Sequence, residues 1–331
     1  GTGGSHGGYG YRSANDGTFT AYYDKAKTPT MAGSGGGAGS GRTGGAGGGT
    51  IVLTVNGELK NSGQIRADGQ RGNYGGYRNY YGGGGGGGGA IYIESGELTG
   101  SGYFYARGGD GGGGHSSYRG GGGGGGRVAI YFNEWNFSAP QSSLVYGGSG
   151  YSGQRGEVGT LAFIHRGTRA LDPKDDSYFV YGGWRWQDND DDNDPHHHAN
   201  FTAYNSTLIT GPDSDDQPIT IADHHHMRSS AIWRPSTHDT QLSSARFTMD
   251  SSSQILSSTK VLRMDLEDVC HMHGGSIINS REVHVTGSSD YNLNSSARVL
   301  ADNIQWAGRN LALHSSSAQF NVNGRGLAGS T

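Results

Sequence analysis

"RNYYGGGGGGGGAIYIESGELTGSG", residues 78–102, decides how the chain is read. Eight consecutive glycines, Gly82–Gly89, run straight into a β-branched and aromatic stretch that reads as a strand. Such a run standing alone is a flexible linker, because glycine loses the most conformational freedom when it is ordered. A run that recurs in register with strands is another matter. Stacked copies can pair their backbone N–H and C=O groups with one another.

The stretch does recur. "GGGTIVLTVNGELKNSGQIRADGQRG" aligns with "GGGAIYIESGELTGSGYFYARGGDGG", Gly57 over Gly96 and Leu59 over Leu98, an offset of 39. A divergent third copy starts at Arg127, and "GTLAFIHRG" from Gly159 starts a fourth. Glycine tracts at 33–49, 82–89, 108–114 and 120–126 accompany them. Glycine strands in a polyproline-II-like conformation, with three residues per turn, pack at distances any side chain forbids. Close approach also permits weak Cα–H···O contacts in number. Collagen is excluded, because there is no sustained Gly-X-Y period and only 7 prolines.

The second half repeats on a shorter period. Leu262, Val283 and Ile304 are 21 apart, as are Met264, Val285, Trp306 and Leu327, and as are Ile278, Val299 and Phe320. Apolar and polar residues alternate within each unit, which is strand periodicity with one face buried. A rung of this length cannot bury its apolar face alone, but stacked rungs can. The predicted fold is therefore all-β, a parallel β-solenoid (β-helix) with glycine-rich, polyglycine-II-like insertions in its N-terminal turns. Three regions follow: glycine-rich turns of about 39 residues over 1–171, an acidic and His-rich connection with further strands over 172–240, and rungs of about 21 residues over 241–331.

Composition supports this division. Fifty-five of the 65 glycines precede residue 181, and apolar residues make up only 32% of the chain. That is apolar-poor for an ordinary globular enzyme, and charged residues at 16% are few for a disordered tail. The net charge of −4 gives no pull toward phosphate backbones or anionic membranes, so nucleic acid is disfavoured as a partner. No stretch has the roughly 18 apolar residues of a membrane span. Cys270 is the single cysteine and cannot form an internal disulfide. Both ends, "GTGGSHGGYG" and "NGRGLAGST", read as mid-chain sequence.

Several clusters carry potential chemistry. Asp188, Asp190, Asp192 and Asp194, followed by His196 and His198, are the candidate metal ligands. Alternating carboxylates suit Ca²⁺, although the glycine and glutamate of an EF-hand loop are missing, and the alternative is a solvated acidic loop. The triplets His196–His198 and His224–His226 lie 28 apart and chelate zinc or copper only if that is the length of one rung. No cofactor is required. Sequons place candidate N-glycans at Asn136, Asn200, Asn205 and Asn294, which point to an extracellular chain. Tyrosines among the glycines and two Arg-Gly-Gly triplets resemble RNA-binding tails, but the negative charge favours aromatics that cover glycine layers.

The runs "GGGGGGGGAIYIESGELTGSG" and "GGGGGGRVAIYF", with the "GGSHGGYG" entry, resemble glycine-rich repeats of cell-surface and adhesin-like proteins of protists, plants and bacteria. The resemblance covers about residues 1–165. It implies a secreted, repetitive, non-enzymatic surface protein and carries no catalytic motif. The expected function is an extracellular structural protein, a stiff element of a filament, appendage or matrix that associates end to end with further copies. The second reading is a receptor-binding adhesin whose glycine-loop tyrosines Tyr77 and Tyr80 make the contact. The third is a polysaccharide-active β-helix enzyme using Asp265, Glu267 or Asp268, for which no paired carboxylate stands in the next rung.

Overall fold

The computed structural model describes residues 1–11, 22–75, 82–113, 120–150, 155–166, 176–186, 197–210, 219–235 and 239–322. Among them the fold is all-β, with helix limited to one 3₁₀ turn at Pro140–Ser142. Pairing between the named strands is parallel. The chain divides into two compact units: 1–165 with 180–184, and 166–179 with 185–331.

In the first unit, strand Thr50–Asn61 pairs with Ala90–Gly100, which pairs in turn with Arg127–Phe132 and Glu134–Phe137; Arg127–Phe132 then pairs with Thr160–His165. Leu59 meets Leu98 as the repeat requires, but Thr50 meets Ala90, so the offset is 40 before a bulge and 39 after it. The bulge falls at Asn56 and Gly57, where one strand has the extra residue. Identical side-chain positions then superpose: Ile51, Ile91, Val128 and Leu161 form one column, and Leu53, Ile93, Ile130 and Phe163 another. Residues on both faces of Arg127–Phe132 are buried, which explains why "RVAIYF" lacks the polar alternation of a half-exposed strand.

The glycine segments are ordered by backbone hydrogen bonds with a period of three. Gly83, Gly86 and Gly89 donate to the carbonyls of Asn73, Gln70 and Ala67, at 3.0, 2.9 and 2.7 Å. Gly84 and Gly87 donate to Gly37 and Ser34, and Gly85 and Gly88 to Gly121 and Gly124, all at 2.9 Å. One limb therefore addresses three neighbours, each through every third residue. Two of those neighbours run antiparallel to it and one parallel. The same rule holds for Gly120, Gly123 and Gly126, which donate to Gly112, Gly109 and Ala106.

The turn carries two limbs, one leaving the strands and one returning to them. Residues 67–75 leave the strands, and 82–89 return antiparallel to them. The outgoing limb is not pure glycine; "ADGQRGNYG" has glycine at every third position, Gly69, Gly72 and Gly75. A Cβ on Gly69 or Gly72 would strike the carbonyls of Gly86 or Gly83, while Gln70 and Arg71 between them are exposed. Side chains are thus tolerated in two directions out of three.

In the second unit the parallel ladder runs from His197 to Asn321 at a much shorter step: Asn200 meets His224, Val283 meets Ile304, and Asp290 meets Asn310. The predicted columns spaced 21 apart are present: Leu262, Val283 and Ile304; Met264, Val285 and Trp306; Ile278, Val299 and Phe320. Leu327 lies outside the described residues. The ladder also enters the segment read as a connection, where His197–Thr210, Ile219–Arg228 and Thr240–Met249 stack in parallel. Corners at Ser229–Ser230, Ser251–Ser252 and Gly274–Gly275 all have positive φ, and Ser230 and Ser252 donate to the carbonyls of Ser251 and Gly274 in the next corner.

These geometries predict that Gly85→Ala destabilises the first unit by about 1–3 kcal/mol or more, since its Cβ would enter the Gly109 carbonyl. Gly63→Ala, with open space around it, is expected to change stability little. Denaturant midpoints of the two variants measure the difference.

Candidate functional site

The surfaces open to further pairing are the outermost strands. Thr50–Asn61 alternates between exposed and half-buried, whereas its partner Ala90–Gly100 is buried along most of its length. Val52 is 52% exposed on that outer strand. In the second unit, Asn310–Leu313 is exposed apart from one residue, and Leu311 and Leu313 are 50% and 49% exposed. Leu311 and Leu313 continue the buried columns of Tyr291 and Leu293. They are core side chains with no next layer among the described residues, and strand edges of this kind invite pairing with another chain.

The histidines divide by strand parity. His224 and His226 face outward with rings stacked at 5.1 Å, while His225 points into the core. His224 Nε2 lies 2.9 Å from Thr248 Oγ1, and His226 Nε2 3.0 Å from Asp250 Oδ2, which also meets Arg228 Nε at 3.4 Å. The register sets His198 beside Ile221 and His224 beside Asn200. The triplets are therefore displaced from one another in the ladder, because the rung here is shorter than the spacing between them.

Asp188, Asp190, Asp192, Asp194 and His196 lie outside the described residues. His198 is 1% exposed, its ring packed on Tyr178 at 4.4 Å and Phe201 at 5.4 Å. The sequence expectation of His198 as a ligand beside the acids thus meets a core side chain, since the strand alternation turns it inward. No group of three or more His, Cys, Asp or Glu side chains is placed for a metal among the described residues.

His225 is sandwiched edge-on between Phe201 and Phe247, at 5.5 and 5.4 Å, and neither ring nitrogen has a hydrogen-bond partner among the described residues. Burial first, then the charges of His224 and His226, push it down to about 3. The folded state therefore binds fewer protons than the unfolded one from about pH 6.5 down to about 3, and stability falls as pH drops through that window. Cys270, two layers further along the same column, is pushed up to about 12 by burial and is not a reactive thiol.

Of the sequon residues, Asn136 and Asn205 are exposed, and Asn205 has a positive φ of +42 within the strand His197–Thr210. Asn200 is half-buried and donates through Nδ2 to Ser177 Oγ at 3.2 Å, and Asn294 is half-buried at a corner. Tyr77 and Tyr80 lie outside the described residues. Tyr74 lies against Gly113 while 63% exposed, whereas Tyr103 and Tyr105 stack on each other at 5.6 Å. Arg107, from the first Arg-Gly-Gly triplet, covers Tyr105 at 4.7 Å and makes a two-pronged pair with Asp68, Nη2–Oδ2 2.9 Å and Nε–Oδ1 3.2 Å. That ion pair joins consecutive turns, Asp68 and Arg107 being 39 apart as the repeat demands. Asp265 has Ser243 and Thr286 as ladder neighbours, neither of them an acid.

No family model, no curated protein and no solved structure matches the chain. No helix among the described residues is long and apolar enough to cross a membrane. The second unit's core histidine predicts that His225→Phe raises stability and flattens its decline between pH 6.5 and pH 4, because an unpartnered polar side chain is replaced by an apolar ring. Urea midpoints across that range, with His225→Leu as a smaller replacement, give the measurement.

Proposed function

We propose that the chain is a structural protein, a parallel β-solenoid whose N-terminal turns carry polyglycine-II-like insertions, and that it assembles end to end into a stiff extracellular element. The observation that carries this reading is the pair of unfinished strand layers, at Thr50–Asn61 and at Asn310–Leu313, each exposing residues that are buried in the layers behind it. A second copy supplies the missing layer. The three-residue bonding period of the limbs supports the polyglycine-II assignment. The regular offsets of the ladder support a coil of stacked turns.

Stiffness follows from the direction of the bonds. Strand pairing along the stack and limb pairing across it leave few backbone groups able to slide independently. Exposure of Asn136 and Asn205 supports glycans on the outside of such an element and an extracellular site of action. An enzymatic role has less support, since Asp265 lacks a carboxylate neighbour in the rungs on either side.

Head-to-tail stacking makes a measurable prediction. The purified chain is expected to form elongated particles by electron microscopy, with fibre diffraction near 4.8 Å along the axis. Val52→Lys, or Leu311→Lys with Leu313→Lys, is expected to leave folded monomers in sedimentation. Compact monomers of the unaltered chain at high concentration, or elongated particles persisting in both variants, overturn the reading.

A further inference from the structure

The second unit has an outward-facing groove of about 370 Å³ that no assembly contact requires. The parallel register builds it. Gln241, Arg263, His284 and Gln305 are successive ladder partners, so one polar column runs across four strands, with Asp265 and Thr286 in the column beside it. Three inter-strand steps make the column roughly 14 Å long.

Its hydrogen-bonding capacity is largely unspent. Arg263 Nη1 lies 2.9 Å from His284 Nδ1, and since Arg donates, His284 accepts there. In its neutral form His284 then carries its proton on Nε2, 3.3 Å from Glu282 Oε2. The other guanidinium donors of Arg263 have no partner among the described residues. Asp265 accepts a single long bond, from Thr286 Oγ1 at 3.5 Å. The Gln241 and Gln305 amides make no side-chain hydrogen bond among the described residues.

The set of groups limits the ligand. A polyanion meets Asp265 and Glu282, and a polycation meets Arg263. A hydroxyl group both donates and accepts, so a polyhydroxylated neutral molecule matches amides, guanidinium and carboxylate together. The column presents a polar side chain at each strand step, which suits a linear ligand lying across the strands.

We propose that this groove binds a neutral oligosaccharide, lying along the column with its hydroxyls bridging Gln305, Asp265 and Arg263. The proposal is independent of end-to-end assembly, because the lining residues come from within one unit. It assigns the chain a ligand as well as a mechanical role.

The test uses the full chain on an array of neutral gluco-, manno- and galacto-configured tetrasaccharides, with tetragalacturonate as the acidic comparator, followed by calorimetry on the best binder. At least one neutral tetrasaccharide is expected to bind, with affinity reduced more than tenfold in both Asp265→Ala and Gln305→Ala. Asp268→Ala, an exposed acid outside the groove, is expected to bind as the unaltered chain does. Circular dichroism checks that the variants fold; should Asp265→Ala not fold, Gln241→Ala takes its place with Gln305→Ala. No binding of any neutral tetrasaccharide, preference for tetragalacturonate, or unchanged affinity in the groove variants overturns the proposal. Electron microscopy of the same samples reads assembly separately.

Discussion

Close backbone approach between glycine limbs is the contact on which the first unit depends. The limb Gly82–Gly89 is bonded on three sides, and a Cβ at Gly84 or Gly85 would occupy the place of the Thr2 or Gly109 carbonyl. Ordering a residue costs about 1–2 kcal/mol of backbone entropy, and glycine costs more than most. A net hydrogen bond contributes about 0.5–1.5 kcal/mol, so one bond per residue does not by itself offset the ordering of a limb. Its persistence rests on the strands at either end, whose buried columns fix where each limb begins and returns. Weak Cα–H···O contacts and dispersion between bare backbones add to this.

The second unit reaches a similar stack by the opposite means. Its interior is filled by side chains: Phe201, His225, Phe247, Cys270 and Tyr291 in one column, and Ala203, Met227, Met249, Met272 and Leu293 in the next. Positive-φ corners turn the chain without long excursions, which is why the step from Val283 to Ile304 is little more than half that from Leu59 to Leu98. His225 fits this interior as an aromatic ring whose nitrogens are not used. The outward positions of the same strands are left free to vary, and there Arg263, Asp265 and Gln305 converge.

Much of this was legible because repeats encode register directly. The spacing of Leu262, Val283 and Ile304, and of Leu59 and Leu98, named pairs that are ladder neighbours. The spacing of the histidine triplets was misleading for the same reason: a bulge between Ile221 and His224, and a rung shorter than that spacing, displace one triplet from the other. The outgoing limb was harder to see, since Asp68, Gln70, Arg71 and Asn73 dilute its glycine. Its signal was the triplet Gly69, Gly72 and Gly75, in phase with the contacts it makes.

By itself the sequence determined the all-β class, the parallel stacking and the change of period between the two halves, since these follow from which residues recur at which interval. It could not determine where a limb's bonds go. Glycine has no side chain to mark a direction, and the three neighbours of Gly82–Gly89 come from residues 34–37, 67–73 and 121–124. Nor could it assemble the Gln241, Arg263, His284 and Gln305 column, whose members are polar and lack a shared residue type. Only the tertiary structure decided both, because each is made by contacts between strands or limbs far apart in the chain and not by any local pattern.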